Sequence, residues 1–545
     1  MTDPTETPPP TLQEALRARL GGRAGIEAGP RPLDVTVHLA RAEDVSEAVS
    51  ELCARGLTLA TVVATDEQET DARDLKVRYV FEPGVGQASP LPDTFVTLCV
   101  PVDPARPVVP SISVVVPAAN WHEREAHDLF GIVFEGHPDP RPLVVHDGWP
   151  EGAYPLRKAF DGSQRLAVEP AEEFPHLVAE GEGVLEVPVG PIHAGIIEPG
   201  HFRFSTFGES VLHLEPRLFY THRGLEKRAE GMPVHDALLV AERLCGVCSV
   251  SHALGFCEAV EQIAGVEVPG RARVIRTIAL ELERLYNHVG DIGNIGAGAS
   301  YHYGASVGAR MKEALQQVGE LCTGHRFLRG LVTPGGVQAD LGSDLAHAIE
   351  QAIGSTATEL ESLAARIEDN PSFVDRLDDI GILPRQAAID LGVTGVGARA
   401  SGIDRDARRD HPHAAYASVS APEVRVQTEA DGDVHARLSV RVAEARESMR
   451  LCKVLLASLP SGPHLTRVPE LLPPGRVGLS AVESPRGATV CWLRTDSAGR
   501  VDRYHVRSAS FANWPAVPIA ALSALIPDFP LVNKSFELCY ACTDR

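Results

Sequence analysis

The chain has 545 residues, 44% of them hydrophobic, enough apolar material for ordinary cores in roughly two to four domains. Its 51 basic and 73 acidic residues leave a net charge of −22, which argues against non-specific nucleic-acid binding. No run of about 18 apolar residues occurs, so no membrane-spanning helix is expected.

The N-terminus, Met1-Thr-Asp-Pro-Thr-Glu-Thr-Pro-Pro-Pro, lacks the basic-then-apolar pattern of a signal peptide. Residues 1–28 read as a disordered tail and the chain as cytoplasmic, attached to the inner face of a membrane only through partners. Residues 29–160 read as an α+β domain. Leu33–Ala40, Leu57–Thr65, Leu75–Glu82, Thr94–Val100 and Ser111–Val116 are rich in β-branched residues and predict strands. Val45, Val49 and Leu52 recur at helical spacing in Glu43–Arg55, which predicts a helix on a mostly antiparallel sheet. Trp121–Pro138 and Tyr154–Lys158 follow. On physics alone the first is a charged surface helix with Glu123, His127 and Phe130 on one side. The order E-R-E-x-x-D-x-x-G-x-x-F-x-G-H-P, then P-L-R-K, resembles the small peripheral-arm subunit of respiratory complex I, which carries no cofactor.

Asp161–Gly183 is acidic, contains proline and reads as a linker. Residues 184–545 read as a mainly α-helical, bundle-like domain. Ile275, Ile278, Leu282, Leu285 and Val289 form one apolar stripe, and Asp344–Ile367 and Val434–Leu459 repeat the pattern.

Two C-x-x-C pairs organise this second domain, Cys245/Cys248 and Cys539/Cys542, with 290 residues between Cys248 and Cys539. Four thiolates suffice for one soft-metal site. Spacing alone leaves open a structural zinc, a catalytic nickel, an iron–sulfur site or no metal. A two-pair zinc site usually closes a loop of roughly 15–20 residues, far shorter than this one. The other six cysteines, Cys53, Cys99, Cys257, Cys322, Cys452 and Cys491, read as small buried apolar groups. Arg243 precedes the first pair. His252 follows Cys248 at i+4, on the same face of a helix.

The sequence R-x-C-G-x-C-x-x-x-H at Arg243–His252, with the terminal C-x-x-C, resembles the large subunit of nickel–iron hydrogenases. The resemblance implies that Cys245, Cys248, Cys539 and Cys542 hold nickel, with Cys248 and Cys542 bridging to an iron that carries carbon monoxide and cyanide. Glu198-Pro-Gly-His201 resembles the family's E-G-H segment and makes Glu198 the proton carrier; by itself, Pro199-Gly200 is a turn signal. His252 is the imidazole beside the thiolates. The R-G-x-E element at Arg223–Glu226 implies a magnesium ligand at Glu226, although the C-terminal histidine that completes such sites is absent. Glu483-Ser-Pro-Arg-Gly487 resembles the P-R-G segment, with Arg486 over the metals and Ser484 and Pro485 against the iron's diatomic ligands. Glu537-Leu538-Cys539 departs from the usual D-P-C and lacks its fixed proline turn.

His222–Lys227, Arg399–Gly402 with Asp404 and Arg408, and Asp433–Ser448 also resemble the complex I quinone-site subunit. Fusion of both halves is typical of membrane-bound, complex-I-like hydrogenases, including the formate hydrogenlyase type. The expected reaction is reversible reduction of protons to H2. The implied partners are an iron–sulfur small subunit, ferredoxin-like electron-transfer subunits, antiporter-like membrane subunits, a formate dehydrogenase or ferredoxin as donor, and maturation proteins. The alternative is a non-catalytic coupling subunit whose cysteines hold structural zinc or no metal.

Overall fold

A computed structural model describes residues 11–70, 72–85, 93–163, 166–167, 174–193, 197–522 and 524–545. The chain divides into two compact units, Met1–Pro142 with Glu151–Arg165, and Leu143–Pro150 with Leu166–Arg545. Content is mixed helix and strand, with a sheet domain at the N-terminal end.

The first unit begins earlier than its composition suggests. Residues 1–10 of the expected tail lie outside the described residues. Leu12–Leu20 form a helix (α1) closed by a capping box between Thr11 and Glu14, and Ala24–Ala28 form a strand (β1). Burial of Leu12, Leu16 and Leu20 anchors α1. Strand β2 (Val35–Leu39) buries Val35, Val37 and Leu39 and turns Thr36 and His38 outward, the alternation of a one-faced strand. Helix α2 (Val45–Ala54) buries Val45, Ala48, Val49 and Leu52. Strands β3 (Leu57–Asp66), β4 (Leu75–Pro83) and β5 (Val96–Val102) complete a sheet of order β1-β2-β5-β4-β3. Only the β2–β5 pairing is parallel.

Ser111–Val116, expected as a strand, is a turn. The short strand lies just before it, β6 (Val108–Pro110), paired in parallel with β7 (Val133–Glu135). The reason is Glu123 on helix α3 (Ala119–Phe130). Its carboxylate accepts from Ile112 N at 2.9 Å, Ser111 Oγ at 2.5 Å and Tyr79 OH at 3.2 Å, so this backbone bonds to a side chain instead of a ladder. Nor is α3 a surface helix: His122, Glu123, Arg124, Glu125 and Asp128 are all buried. Gly131 ends it at φ +69°, and a Cβ there would fall 2.3 Å from the Tyr154 ring, which ties the two halves of the motif together. Segment 143–150 packs with the second unit, where His146 Nε2 bonds Leu218 O at 2.8 Å and Asp147 pairs with Arg217.

The second unit carries long helices and, beside them, two three-stranded sheets. Strands β8 (Val184–Val189), β9 (His201–Phe207) and β10 (Ser210–Arg217) form one antiparallel sheet, and Val477–Ser484, Gly487–Thr495 and Val501–Arg507 another. Short helices α4 (Leu225–Ala229) and α5 (Val234–Ala241) lead to α6 (Ser249–Ala264) and the long α7 (Gly270–Gly298). The apolar stripe of α7 is buried, but so are Arg276, Glu281, Glu283, Arg284, His288 and Asp291. Glu283 accepts from neutral donors, and the others are paired. Arg408 bridges Asp406 at 2.7 Å and Glu281 at 3.2 Å, while Arg399 bridges Glu444 at 2.6 Å and Glu483 at 2.9 Å. Arg284 donates to the carbonyls of Glu483 (2.6 Å) and Ser484 (3.1 Å), fixing the turn that carries Arg486. Deleting one partner would strand a buried charge, at a cost of about 3–5 kcal/mol.

Glu123 supplies a test. Burial pushes its carboxyl up from 4.5 to about 7, against the hydrogen bonds from Ser111, Ile112 and Tyr79. A raised carboxyl contributes stability that is fully present below its unfolded pKa and lost as pH rises through its folded one. Between pH 4.5 and 7 the native chain should therefore lose about 3 kcal/mol relative to a Glu123→Gln variant. Hydrogen exchange of the β4 amides in both proteins measures this; parallel pH profiles would refute it.

Candidate metal centre

The first cysteine pair lies between α5 and α6, and Cys248 is the N-cap of α6. Glu283 on α7 accepts from Val250 N at 2.7 Å, Ser251 N at 3.0 Å and the Ser251 hydroxyl. Asn287, one turn further along α7, donates to Val247 O at 2.9 Å. The buried helix thus grips both sides of Cys248, and the positive end of α6 favours a thiolate there.

The second pair follows helix Phe529–Phe536, which ends at Glu537 in the left-handed region, φ +52°. That conformation supplies the turn a proline would otherwise impose. Cys539 N donates to Ser510 Oγ at 3.0 Å, and Cys542 O accepts from Ser508 Oγ at 2.9 Å. Short helix Tyr540–Asp544 points Cys542 inward.

The two pairs meet. Cys542 Sγ lies 2.9 Å from Cys245 Sγ, well beyond the ~2.05 Å of a disulfide. Ligand atoms of Cys245, Cys248, His252 and Cys542 all fall within 4.8 Å of one another, and Cys539 packs against them. His252 Nε2 lies 3.4 Å from Cys542 Sγ. Hydrogen bonds from Cys245 and Cys542 overcome burial and hold the Cys248 thiol down at about 6, whereas its neighbour Cys245 pushes Cys539 up to about 12. Three buried thiols and a half-buried fourth that cannot all ionise together are a donor set suited to a soft cation.

Arg486 flanks this set. Its Nε donates to Glu537 O at 2.8 Å and one amino nitrogen contacts Asp291 at 3.2 Å, while the other, though buried, has no hydrogen-bond partner. Burial opposes its charge, but Asp291, Cys248, Glu537 and Cys539 outweigh burial and keep it firmly cationic. Ser484 closes the turn below, donating to Gly487 O at 2.8 Å and accepting from Arg486 N at 3.3 Å, with Pro485 buried between. His252 Nδ1 is a second buried atom without a hydrogen-bond partner. Two orphaned polar atoms beside four gathered thiols fit a metal with polar ligands of its own.

Glu198 also reaches the centre. Its Oε2 accepts from Ala541 N at 2.6 Å, between the two terminal cysteines, and burial followed by Cys539 raises its pKa.

The surroundings of Glu226, expected as a magnesium ligand, are cationic. Its carboxylate is taken by Arg503 at 2.8 Å, Arg545 at 3.1 Å, His505 at 3.4 Å and Val506 N at 3.1 Å. Burial alone would raise its pKa, but Arg503 and His505 prevail and hold it at about 2. A divalent ion would meet two guanidinium groups there.

The sequence reading missed Arg223, Glu283, Asn287, Asp291 and Arg545. The signal for Glu283, Asn287 and Asp291 was their spacing at i, i+4 and i+8 on α7, a polar stripe on a buried helix.

Family models match along most of the chain. "Respiratory-chain NADH dehydrogenase, 30 Kd subunit" covers residues 35–166, "Nickel-dependent hydrogenase" 223–290, and "Respiratory-chain NADH dehydrogenase, 49 Kd subunit" 295–479 and 469–545. Formate hydrogenlyase subunit 5 of Escherichia coli K12 is 35% identical over 83% of this chain and 79% of that protein. Hydrogenase-4 component G of the same organism is 35% identical over 80% of this chain and 76% of its own length. Among solved structures, the membrane-bound sulfane sulfur reductase, an archaeal respiratory membrane complex, contains a chain matching with TM-score 0.63 and 26% identity, over 67% of this chain and 99% of that one.

In the metal-free chain, ultraviolet thiolate absorbance should show its first midpoint near pH 6 rather than near 9, and Arg486→Leu should move it upward. A first midpoint near 9 in both proteins would contradict the charge arrangement described.

Proposed function

The chain belongs to the large-subunit family of complex-I-like, membrane-bound nickel–iron hydrogenases, and on that premise we propose that it is the catalytic subunit of such an enzyme. The reaction is the reversible combination of two protons and two electrons to H2. The observation that carries this reading is the convergence of Cys245, Cys248 and Cys542, with Cys539 against them, beside Arg486 and His252.

Cys245, Cys248, Cys539 and Cys542 would hold a nickel–iron centre whose iron carries carbon monoxide and cyanide. When bound, this centre would supply soft, redox-active metal chemistry for combining protons and electrons. Arg486 offsets the negative charge of the thiolates and offers a free N–H toward polar ligands. Pro485 gives those ligands an apolar wall, and Ser484 holds Pro485 and Arg486 in position. His252 donates toward the Cys542 sulfur. Glu198 takes a proton at its carboxyl and passes it to a terminal thiolate. Its raised pKa suits that task, because proton transfer is most effective when the carrier's pKa lies near the working pH.

Electrons arrive from an iron–sulfur small subunit through ferredoxin-like subunits, with formate dehydrogenase or a ferredoxin as ultimate donor. Antiporter-like subunits attach the assembly to the inner face of the cell membrane, and maturation proteins install the metals. Among the described residues no helix is long and apolar enough to cross a membrane. The coupling-only alternative is not favoured, because the relatives above are hydrogenase subunits and all four thiols are retained.

Two variants of the assembled complex test the reading. Cys542→Ser should abolish hydrogen turnover and lower nickel content. Glu198→Gln should keep its nickel and lose about 100-fold in hydrogen turnover. Normal turnover in Cys542→Ser would remove the ligand assignment, and normal turnover in Glu198→Gln would remove the proton role.

A further inference from the structure

The occupied carboxylate of Glu226 has a structural consequence for the second cysteine pair. Arg545 is 2% exposed, bonds Val506 O at 2.9 Å as well as Glu226, and lies over the Phe511 ring at 4.9 Å. Asp544 is fully buried and accepts from Phe219 N at 2.9 Å, Thr221 N at 3.0 Å and Thr221 Oγ1 at 2.8 Å. Arg223 completes the junction. Its backbone N–H donates to Arg545 O at 2.7 Å. Its guanidinium donates to Arg243 O (3.1 Å) and Leu244 O (2.7 Å) on the first cysteine segment, and to Ala541 O (3.0 Å) on the second.

We infer that Arg223, Glu226 and Arg545 form a cation-free latch, in which the Arg545 guanidinium does the work of a divalent ion and Arg223 staples the two cysteine segments together. All three are positioning residues. None needs to touch the metals, and each holds the backbone from which Cys245 and Cys542 project. The functional consequence rests on the hydrogenase reading above; the latch itself does not. The geometry favours this over a magnesium site because one amino nitrogen of Arg545 already donates to both Glu226 Oε1 and Val506 O, where a small octahedral ion demands several oxygen ligands and retained waters. Among the described residues, the only cluster of potential metal ligands is the cysteine–histidine set.

The test uses the purified full-length chain in its complex. Magnesium is measured after desalting, and hydrogen exchange is followed over residues 538–545 with and without a chelator. Substoichiometric magnesium and chelator-insensitive protection are expected. In Arg545→Ala the same amides should exchange about tenfold faster, since a charge-assisted hydrogen-bond pair is lost, and added ethylguanidinium should restore part of the protection while magnesium should not. One tightly held magnesium per chain that Glu226→Gln releases would overturn the latch. So would unchanged protection in Arg545→Ala. Neither readout depends on nickel: a chain without nickel that still shows guanidinium-restored protection would sink the hydrogenase reading and leave the latch standing.

Discussion

Four thiols from opposite ends of one unit are brought to a single buried point, and the surrounding architecture depends on that convergence. Cysteine sulfurs at 2.9 Å cannot all be ionised without a cation between them. Left alone, the set would either protonate or repel. The protein opposes both outcomes with fixed dipoles and charge: the N-terminus of α6 at Cys248, the Arg486 guanidinium, and His252 against Cys542. Rigidity comes from elsewhere. Glu283 and Asn287 hold the first segment from α7, Ser508 and Ser510 hold the second, and Arg223 reaches both.

A centre of this kind needs support that does not relax, which gives the buried ion network its place. Arg284, Arg399, Arg408, Glu281, Glu444 and Glu483 form a lattice inside the second unit. Such pairs add little net stability compared with apolar packing, because each charge must first leave water. They do specify one arrangement, since any register shift would leave a buried charge alone. Gly487 shows how tight that arrangement is: at φ +127°, a Cβ would lie 2.4 Å from Thr394 Oγ1. The Arg486 turn is therefore held from α7 on one side and from the Thr394 backbone segment on the other.

Much of this was legible in the sequence, for physical reasons that also explain the failures. Strand β2 buries only one face, so its alternation is visible, whereas Val477–Ser484 is buried at nearly every position and hides its period. The cysteine pairs stood out by residue type and spacing, whereas Glu198 and Arg486, which sit in ordinary turn motifs, were singled out only through the family resemblance. The partners of Glu226, Arg503 and Arg545, were not legible because they lie hundreds of residues away and nothing local announces them. Ser111–Val116 failed similarly, its β-branched composition overruled by one buried carboxylate. Asp291 and Arg223 were missed because a charged residue on a helix or turn ordinarily faces water.

The most direct measurement is metal analysis joined to infrared spectroscopy on the native complex, purified from cells that contain the maturation proteins. Near-stoichiometric nickel with carbonyl and cyanide stretching bands is the predicted result. Zinc alone, or no metal and no such bands, would contradict the account and leave the four thiols as a structural clasp.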